Sequence, residues 1–162
     1  MSFSPAQIDS STAGKHRNCA GVPIFSPTYL TWPRCAKMYF VGNRMTRDEA
    51  WRLANDWVAA WNAHDLDRIM THYDETIMLT SPVAARLLGL ADGTVTGKVD
   101  LRAYFQRGLQ AYPELHFDLE EVFRGMNSVV LCYANQAGNH TAEFMELSAN
   151  GKVARVVANY NA

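Results

Sequence analysis

Hydrophobic residues recur at spacings of three and four from residue 50 onward, and this pattern predicts an amphipathic first helix. Thr46 and Glu49 form a capping-box sequence, in which each side chain accepts a hydrogen bond from a backbone N–H at the start of a helix. The residues on the apolar side of the helix are Ala50, Leu53, Ala54, Trp57, Val58 and Trp61. The sequence therefore predicts a helix that ends near Ala63 and buries two tryptophans.

Two further helices are predicted downstream. Asp65 is a good N-cap for a short helix whose apolar positions lie within residues 66–73. A third helix is expected over about 99–111, because its apolar residues keep helical spacing and Pro113 ends it.

The remaining segments are rich in residues that favour strands. Residues 76–80 predict a strand that stops at Ser81-Pro82, and the glycines between there and Gly97 predict irregular backbone or a short strand near 94–96. The Asn150-Gly151 pair is typical of a type I′ hairpin turn between two antiparallel strands. The four strands predicted after the third helix cover about 115–123, 128–135, 140–147 and 153–160.

The order of these elements predicts an α+β fold, in which three helices cover one face of a curved sheet that ends in a four-stranded antiparallel meander. Two strands, at 129–133 and 153–158, are apolar on both faces. A sheet with one face in water would alternate more strictly, so a second covering surface, such as another subunit, is the simplest explanation.

The first 44 residues differ from the rest of the chain. They hold four of the six prolines and five basic residues against one acid, whereas residues 45–162 carry ten basic and fifteen acidic residues. The apolar residues of the first segment do not keep a helical or strand period. We expect residues 1–44 to be a disordered or irregular extension, with a targeting or partner-binding segment as the alternative, and residues 45–162 to be the folded domain.

Charge and composition argue against several classes of protein. The chain of 162 residues has a formal net charge of -1, which gives no general attraction to nucleic acid or to anionic lipid. No apolar run approaches the roughly 20 residues that a membrane helix needs. The three cysteines and five histidines show no metal-binding spacing. We therefore expect a cytoplasmic protein with no metal, no cofactor and no nucleic-acid or membrane partner.

Three stretches of sequence, in this order of elements, resemble the nuclear transport factor 2-like superfamily. They are Trp57–Asp67, Tyr73-Asp74-Glu75, and the segment from Gly97 through Leu101-Arg102 to Tyr104-Phe105. Within the superfamily the chain is most similar to the SnoaL-like branch, which is similar to polyketide cyclases and steroid Δ-isomerases. The resemblance covers about residues 46–160. It implies a cone-shaped fold with a pocket between helices and sheet, and a homodimer formed through the outer face of the sheet.

Glu143 is the candidate catalytic residue. Counting back from Gly151 places it where the resembled isomerases and cyclases carry an acidic residue that faces the pocket. A carboxyl group walled by Trp and Phe loses solvation, so its pKa rises and it can exchange a proton near neutral pH. In the alternative interpretation Glu143 is solvated or pairs with Arg155 on the next strand, because alternation alone does not determine the face.

Two positions depart from the isomerase pattern. The helix position that supplies a phenolic donor in the resembled isomerases is Trp57, and the position of their carboxylate base is Ser81. These differences argue against double-bond isomerisation by that route.

The sequence thus predicts an apolar pocket for a small apolar or aromatic, polyketide-like molecule in a cofactor-free cyclase or isomerase that uses Glu143 as its acid and base. The alternatives are a non-catalytic ligand-binding or dimerisation module and a protein-binding adaptor. The residues expected to bind the substrate are Trp57, Trp61, Tyr73, Thr80, Ser81, Tyr104, Phe105, Phe117, Met145 and Tyr160.

Overall fold

A computed structural model describes residues 45–161, so the prediction of an extension over 1–44 lies outside the described residues. The helices are α1 (Arg47–Asn62), α2 (Leu66–Thr71), α3 (Pro82–Leu88) and α4 (Lys98–Ala111). The strands are β1 (Tyr73–Thr80), β2 (Thr94–Thr96), β3 (Phe117–Arg124), β4 (Ser128–Asn135), β5 (His140–Leu147) and β6 (Val153–Tyr160). Within these residues no helix has the length and apolar character needed to cross a bilayer.

Both predicted N-caps are present. The hydroxyl of Thr46 accepts a hydrogen bond from the backbone N–H of Glu49 at 3.2 Å, and the Glu49 carboxylate accepts one from the Thr46 N–H at 2.7 Å. The carboxylate of Asp65 accepts a hydrogen bond from the Arg68 N–H at 3.0 Å and starts α2. Local side chains therefore satisfy the first backbone donors of each helix, as the sequence indicates.

The six strands form one sheet in the order β2-β1-β6-β5-β4-β3. Strands β1 and β6 are parallel and the other neighbours are antiparallel, so β3 to β6 form the predicted meander. Helix α1 packs against β3, and α4 packs against β1. The predicted α+β class, with helices on a curved and mainly antiparallel sheet, is confirmed.

Three local predictions need correction. The second helix ends at Thr71, so Tyr73, which is predicted as its last apolar position, is the first residue of β1. The segment after Ser81 contains a fourth helix, α3, because Ser81 caps it through the Val83 N–H at 3.1 Å and Pro82 occupies its first turn, where the missing N–H is no loss. The Asn150-Gly151 hairpin is present but is not a type I′ turn. Among the described non-glycine residues His64 alone has positive φ, so Gly151 carries the positive φ of this turn without Asn150.

The sheet has an inner face toward the helices and an outer face away from them. On the inner face Leu131, Tyr133, Thr141, Glu143 and Met145 are buried. On the outer face of the same two strands the side chains are half-buried or exposed. The core therefore lies between the inner face and the helices, and any cavity there is enclosed by both.

Candidate active site

A cavity of about 420 Å³ lies between the inner face of the sheet and helices α1, α3 and α4. This volume lies within the range of about 300–1,000 Å³ that is typical of small-molecule sites. Eight aromatic side chains line it, namely Trp57, Trp61, Tyr104, Phe105, Tyr112, Phe117, Tyr133 and Tyr160. The site is thus suited to a flat, largely apolar molecule.

The aromatic residues at the inner end of the cavity pack against one another. The rings of Trp57 and Phe117 are stacked, with centroids 5.7 Å apart and an interplanar angle of 6°. Phe117 also contacts Tyr133, at a centroid distance of 4.5 Å. Trp61 meets Phe105 edge-on at 4.8 Å. This wall is therefore a cluster of rings in mutual contact.

Two polar residues of the Trp57–Asp67 stretch attach α1 to the segment that carries Phe117. The side chain of Asn62 donates to the Phe117 carbonyl at 2.9 Å and accepts from the Phe117 N–H at 2.8 Å. The Nε2 atom of His64 lies 2.8 Å from the Leu115 carbonyl oxygen. The stretch that carries the family resemblance therefore fixes the start of β3, and so the position of one cavity wall.

Glu143 lies on β5 and is 6% exposed, and it belongs to the cavity lining. Its Oε2 atom accepts a hydrogen bond of 2.6 Å from the hydroxyl of Tyr133 on β4. Its Oε1 atom makes no hydrogen bond to the described residues. The alternative pairing with Arg155 is wrong, because Arg155 is opposite Glu146 and exposed on the outer face.

The surroundings of Glu143 change its acidity. Burial raises the pKa of Glu143 to about 7, and the hydrogen bond from Tyr133 partly opposes that rise. Burial, together with the Glu143 charge, raises the pKa of Tyr133 well above its ordinary value. The carboxyl group can therefore gain or lose a proton near neutral pH, while the phenol keeps its proton and remains a donor.

A second group of hydroxyls lines the cavity near Glu143. The Ser81 and Tyr160 hydroxyl oxygens are 3.3 Å apart, and Ser81 is 2% exposed. Burial raises the pKa of Tyr160 to about 12 and raises that of Tyr104. The Ser81 N–H donates to the Gly93 carbonyl at 2.9 Å. Only glycine fits at position 93, because a Cβ there would lie 2.5 Å from the Ser81 carbonyl oxygen.

Eight of the eleven residues predicted for the site line the cavity: Trp57, Trp61, Ser81, Tyr104, Phe105, Phe117, Glu143 and Tyr160. The other three are not in the lining. Tyr73 lies behind Trp57, whose Nε1–H it accepts at 2.9 Å. Thr80 follows the inward-facing Leu79 and bonds to Thr94 on β2. Met145 faces inward but is fully buried in the core.

Three further residues line the cavity and are not predicted from the sequence: Tyr133, Thr141 and Arg86. Tyr133 lies two residues beyond Leu131 on β4 and so shares its face, and Leu131 is directly opposite Glu143. Two pieces of information would have identified Tyr133 from the sequence. They are the alternation of inward and outward side chains within residues 129–133, and the pairing register that the turn after Asn135 gives to β4 and β5.

Comparison with known proteins agrees with this fold. The SnoaL-like domain family matches residues 54–158. A SnoaL-like protein of unknown function from Burkholderia thailandensis is 30% identical, with 74% of this chain and 99% of that chain covered and a TM-score of 0.71. No curated protein matches the sequence.

Two more distant structures show the same fold. A candidate ketosteroid isomerase from Kribbella flavida is 16% identical, with 71% of this chain and 79% of that chain covered and a TM-score of 0.56. The epoxide hydrolase/cyclase-like enzyme SalBIII, with a role in pyran ring formation in the polyether salinomycin, is 16% identical, with 70% and 92% covered and a TM-score of 0.55. The family match spans most of the described residues, and the chain belongs to the SnoaL-like domain family.

Proposed function

We propose that this protein binds a small aromatic or polyketide-like molecule in the cavity and catalyses a cofactor-free cyclisation or isomerisation, with Glu143 as acid and base. The observation that carries the proposal is a buried carboxyl group on the wall of an aromatic cavity, with one oxygen held by Tyr133 and the other without a hydrogen-bond partner among residues 45–161. A proton acceptor in this setting has a pKa near the working pH, which is where general acid–base catalysis is most effective.

The proposed chemistry is a proton transfer beside a carbonyl group. Glu143 Oε1 takes a proton from the carbon next to the carbonyl, and the electron pair of the broken C–H bond moves into an enolate. In an isomerisation, Glu143 returns the proton to a different carbon. In a cyclisation, the enolate carbon attacks a second carbonyl carbon of the same molecule, and the proton goes to the oxygen of that carbonyl.

The rest of the cavity supports this step. Aromatic side chains exclude water, so a developing negative charge on the substrate interacts strongly with nearby donors. The hydroxyls of Tyr104 and Tyr160 remain protonated because burial raises their pKa, and both line the cavity. Either can donate a hydrogen bond to an enolate oxygen while Tyr133 stays on Glu143.

Deuterium exchange into 2-tetralone tests the proposal without knowledge of the natural substrate. This flat ketone has an acidic C–H bond beside its carbonyl, and its exchange in deuterated water can be followed by proton NMR. We expect the unmodified protein to accelerate exchange and Glu143→Gln to lose about a hundredfold or more of that acceleration. Glu146→Gln is the matched control, because Glu146 is on the same strand but on the outer face.

A second candidate function is ligand binding without catalysis. It is favoured by the single carboxylate in the described lining, since the positions at Trp57 and Ser81 offer no second acid or base. Saturable binding of 2-tetralone without accelerated exchange would support this function, and equal exchange rates for the unmodified protein and Glu143→Gln would remove Glu143 from the chemistry.

We also infer that two copies of the chain associate through the outer face of the sheet. An apolar row, defined as Val157, Phe144, Val130 and Phe123, crosses four neighbouring strands in register. Phe123 is 52% exposed, and the opposed Glu146 and Arg155 place both signs of charge beside the row. A patch with both signs can complement itself across a two-fold axis.

Light scattering tests the association. We expect a dimer for the unmodified protein and for Arg52→Gln, and a monomer for Phe144→Glu. A monomeric unmodified protein would contradict the inference.

A further inference from the structure

One basic side chain stands at the mouth of the cavity. Arg86 lies on α3 and is exposed, whereas Glu143 is 6% exposed and lies deep in the same cavity. Arg86 and Glu143 are the two charged residues of the described lining, one basic and one acidic. The cavity thus has a carboxyl group at its inner end and a guanidinium at its opening.

The guanidinium of Arg86 retains unused hydrogen-bonding capacity. Its Nη2 atom donates to the Tyr112 hydroxyl at 3.1 Å, and a guanidinium offers five N–H donors in all. Within residues 45–161, Arg68 and Arg102 have carboxylate partners within 4.0 Å, and Arg86 has none. Arg86 is therefore held in place by a neutral group with its charge uncompensated by described residues.

The hairpin between β4 and β5 adds further donors to the lining. The side-chain oxygen of Asn135 accepts from the backbone N–H groups of Ala137 and Asn139, at 2.9 and 3.0 Å. The side-chain oxygen of Gln136 accepts from the His116 N–H at 3.4 Å. Each oxygen is thus occupied, and the NH2 groups of Asn135 and Gln136 are left as donors without a described acceptor.

The charge of Arg86 acts inside the cavity as well as at its edge. Burial is the main reason that the pKa of Tyr160 rises to about 12, and Arg86 opposes that rise. The guanidinium is therefore close enough to stabilise negative charge near Tyr160.

We propose that Arg86 binds an anionic oxygen group, such as a carboxylate, on a ligand whose apolar body fills the aromatic part of the cavity. The inference rests on the proposed function for the existence of a cavity ligand and adds its chemical class. A planar guanidinium binds a carboxylate or a similar oxyanion through two parallel hydrogen bonds. The ligand is then an aromatic acid oriented with its anionic end outward and its carbonyl toward Glu143.

Two naphthalene dyes that differ by one charged group test the proposal. N-phenyl-1-naphthylamine is neutral, and 8-anilinonaphthalene-1-sulfonate has the same rings with one sulfonate. Fluorescence titration gives the affinity of each dye. We expect Arg86→Gln to weaken binding of the sulfonate about tenfold and binding of the neutral dye by less than about twofold, with Arg86→Lys between the two. Arg52→Gln, on the exposed side of α1 and outside the lining, should change neither.

The outcomes separate this inference from the proposed catalysis. Equal losses for both dyes in Arg86→Gln, or no loss for either, overturn the anion preference and leave the role of Glu143 standing. A selective loss of sulfonate binding supports the preference even if Glu143→Gln leaves deuterium exchange unchanged. Failure of both dyes to bind counts against the cavity as a ligand site, and therefore against both proposals.

Discussion

The two faces of strand β5 carry similar residues in different surroundings. Glu143 and Glu146 are three positions apart on this strand, and each is next to a large apolar residue, Phe144 or Met145. Glu143 faces the cavity, is 6% exposed and receives the Tyr133 hydroxyl. Glu146 faces outward, is half-buried and accepts from the Asn127 side chain at 3.3 Å. The sheet thus places one carboxylate in an apolar cavity and leaves the other near solvent.

The position of a carboxyl group in this sheet, more than its residue type, determines its acidity. Burial raises the pKa of Glu143 because removing water penalises the charged form. Water is excluded from the inner face because Val129, Leu131 and Met145 on the same face are fully buried. The packing of the inner face therefore offsets the energetic cost of keeping the Glu143 carboxyl group away from water.

The largest difference between the two faces is expected when one side chain on each is truncated. Leu131 is fully buried on the inner face, and Val130 beside it is half-buried on the outer face. We expect Leu131→Ala to lower the free energy of unfolding by about 2–5 kcal/mol, because it leaves a cavity in the core. Val130→Ala should cost about 1 kcal/mol or less. Urea denaturation at low protein concentration, where subunit association contributes least, measures both, and equal losses would mean that the two faces are equally covered.

Replacing Glu143 should remove the pH dependence that its carboxyl group gives to the free energy of unfolding. The pKa of Glu143 is about 7 in the folded protein, above the ordinary value of about 4.5, so between these values the folded state binds more protons than the unfolded state. Its contribution to stability is therefore fully present below about pH 4.5 and is lost as the pH rises toward 7. We expect Glu143→Gln to be more stable than the unmodified protein by up to about 3 kcal/mol near pH 8, and to lose that advantage near pH 5.

The control for this measurement is Glu146→Gln, which should retain the pH profile of the unmodified protein. Four titratable side chains interact electrostatically with Glu143, namely Tyr73, Tyr104, Tyr133 and Tyr160. Burial raises the pKa of each, so none titrates between pH 5 and 8. A pH profile that is the same with and without Glu143 would show that this carboxyl group is not buried.

Local signals in the sequence predicted most of the fold. Thr46 and Asp65 cap their helices, and the strands at 128–135, 140–147 and 153–160 have the predicted bounds, because these features depend on neighbouring residues. Helix α3 was missed because Ser81-Pro82 was interpreted as the stop of a strand. The same pair is also an N-cap followed by proline in the first turn, and Gly89 with its positive φ ends the helix.

The site is harder to predict from the sequence than the fold is. The resemblance gave a position for Glu143, but its contact with Tyr133 depends on the register of β4 against β5, which the turn at residues 135–139 sets. Arg86 was not singled out because its place at the cavity mouth depends on α3. Contacts between distant segments are not encoded in local periodicity, so only the structure brings these residues together.

Removing the Tyr133 hydroxyl should increase the difference in pKa between Glu143 and an ordinary carboxyl group. Tyr133→Phe keeps the ring against Phe117 and deletes the 2.6 Å hydrogen bond to Glu143. Because this hydrogen bond lowers the pKa of Glu143, we expect the pKa to rise further, and the free energy of unfolding near pH 8 to fall by about 1–2 kcal/mol. The infrared band of the protonated carboxyl group measures the shift. A lower pKa in Tyr133→Phe would contradict the proposed role of the hydroxyl, and Glu143→Gln identifies the band by its absence.

The smallest effect is expected for a histidine–glutamate contact at a β-bulge in β3. His140 Nδ1 lies 3.0 Å from Glu120 Oε2, with side-chain exposures of 54% and 42%. The register of β3 against β4 shifts between Leu119 and Glu121, so Glu120 is the extra residue of the bulge. Water screens such a pair, and a double-mutant cycle with His140→Ala and Glu120→Gln should give a coupling energy of about 1 kcal/mol or less. A coupling energy well above about 1 kcal/mol would show that this part of the sheet is covered in solution, so that Glu120 is not a solvated carboxylate.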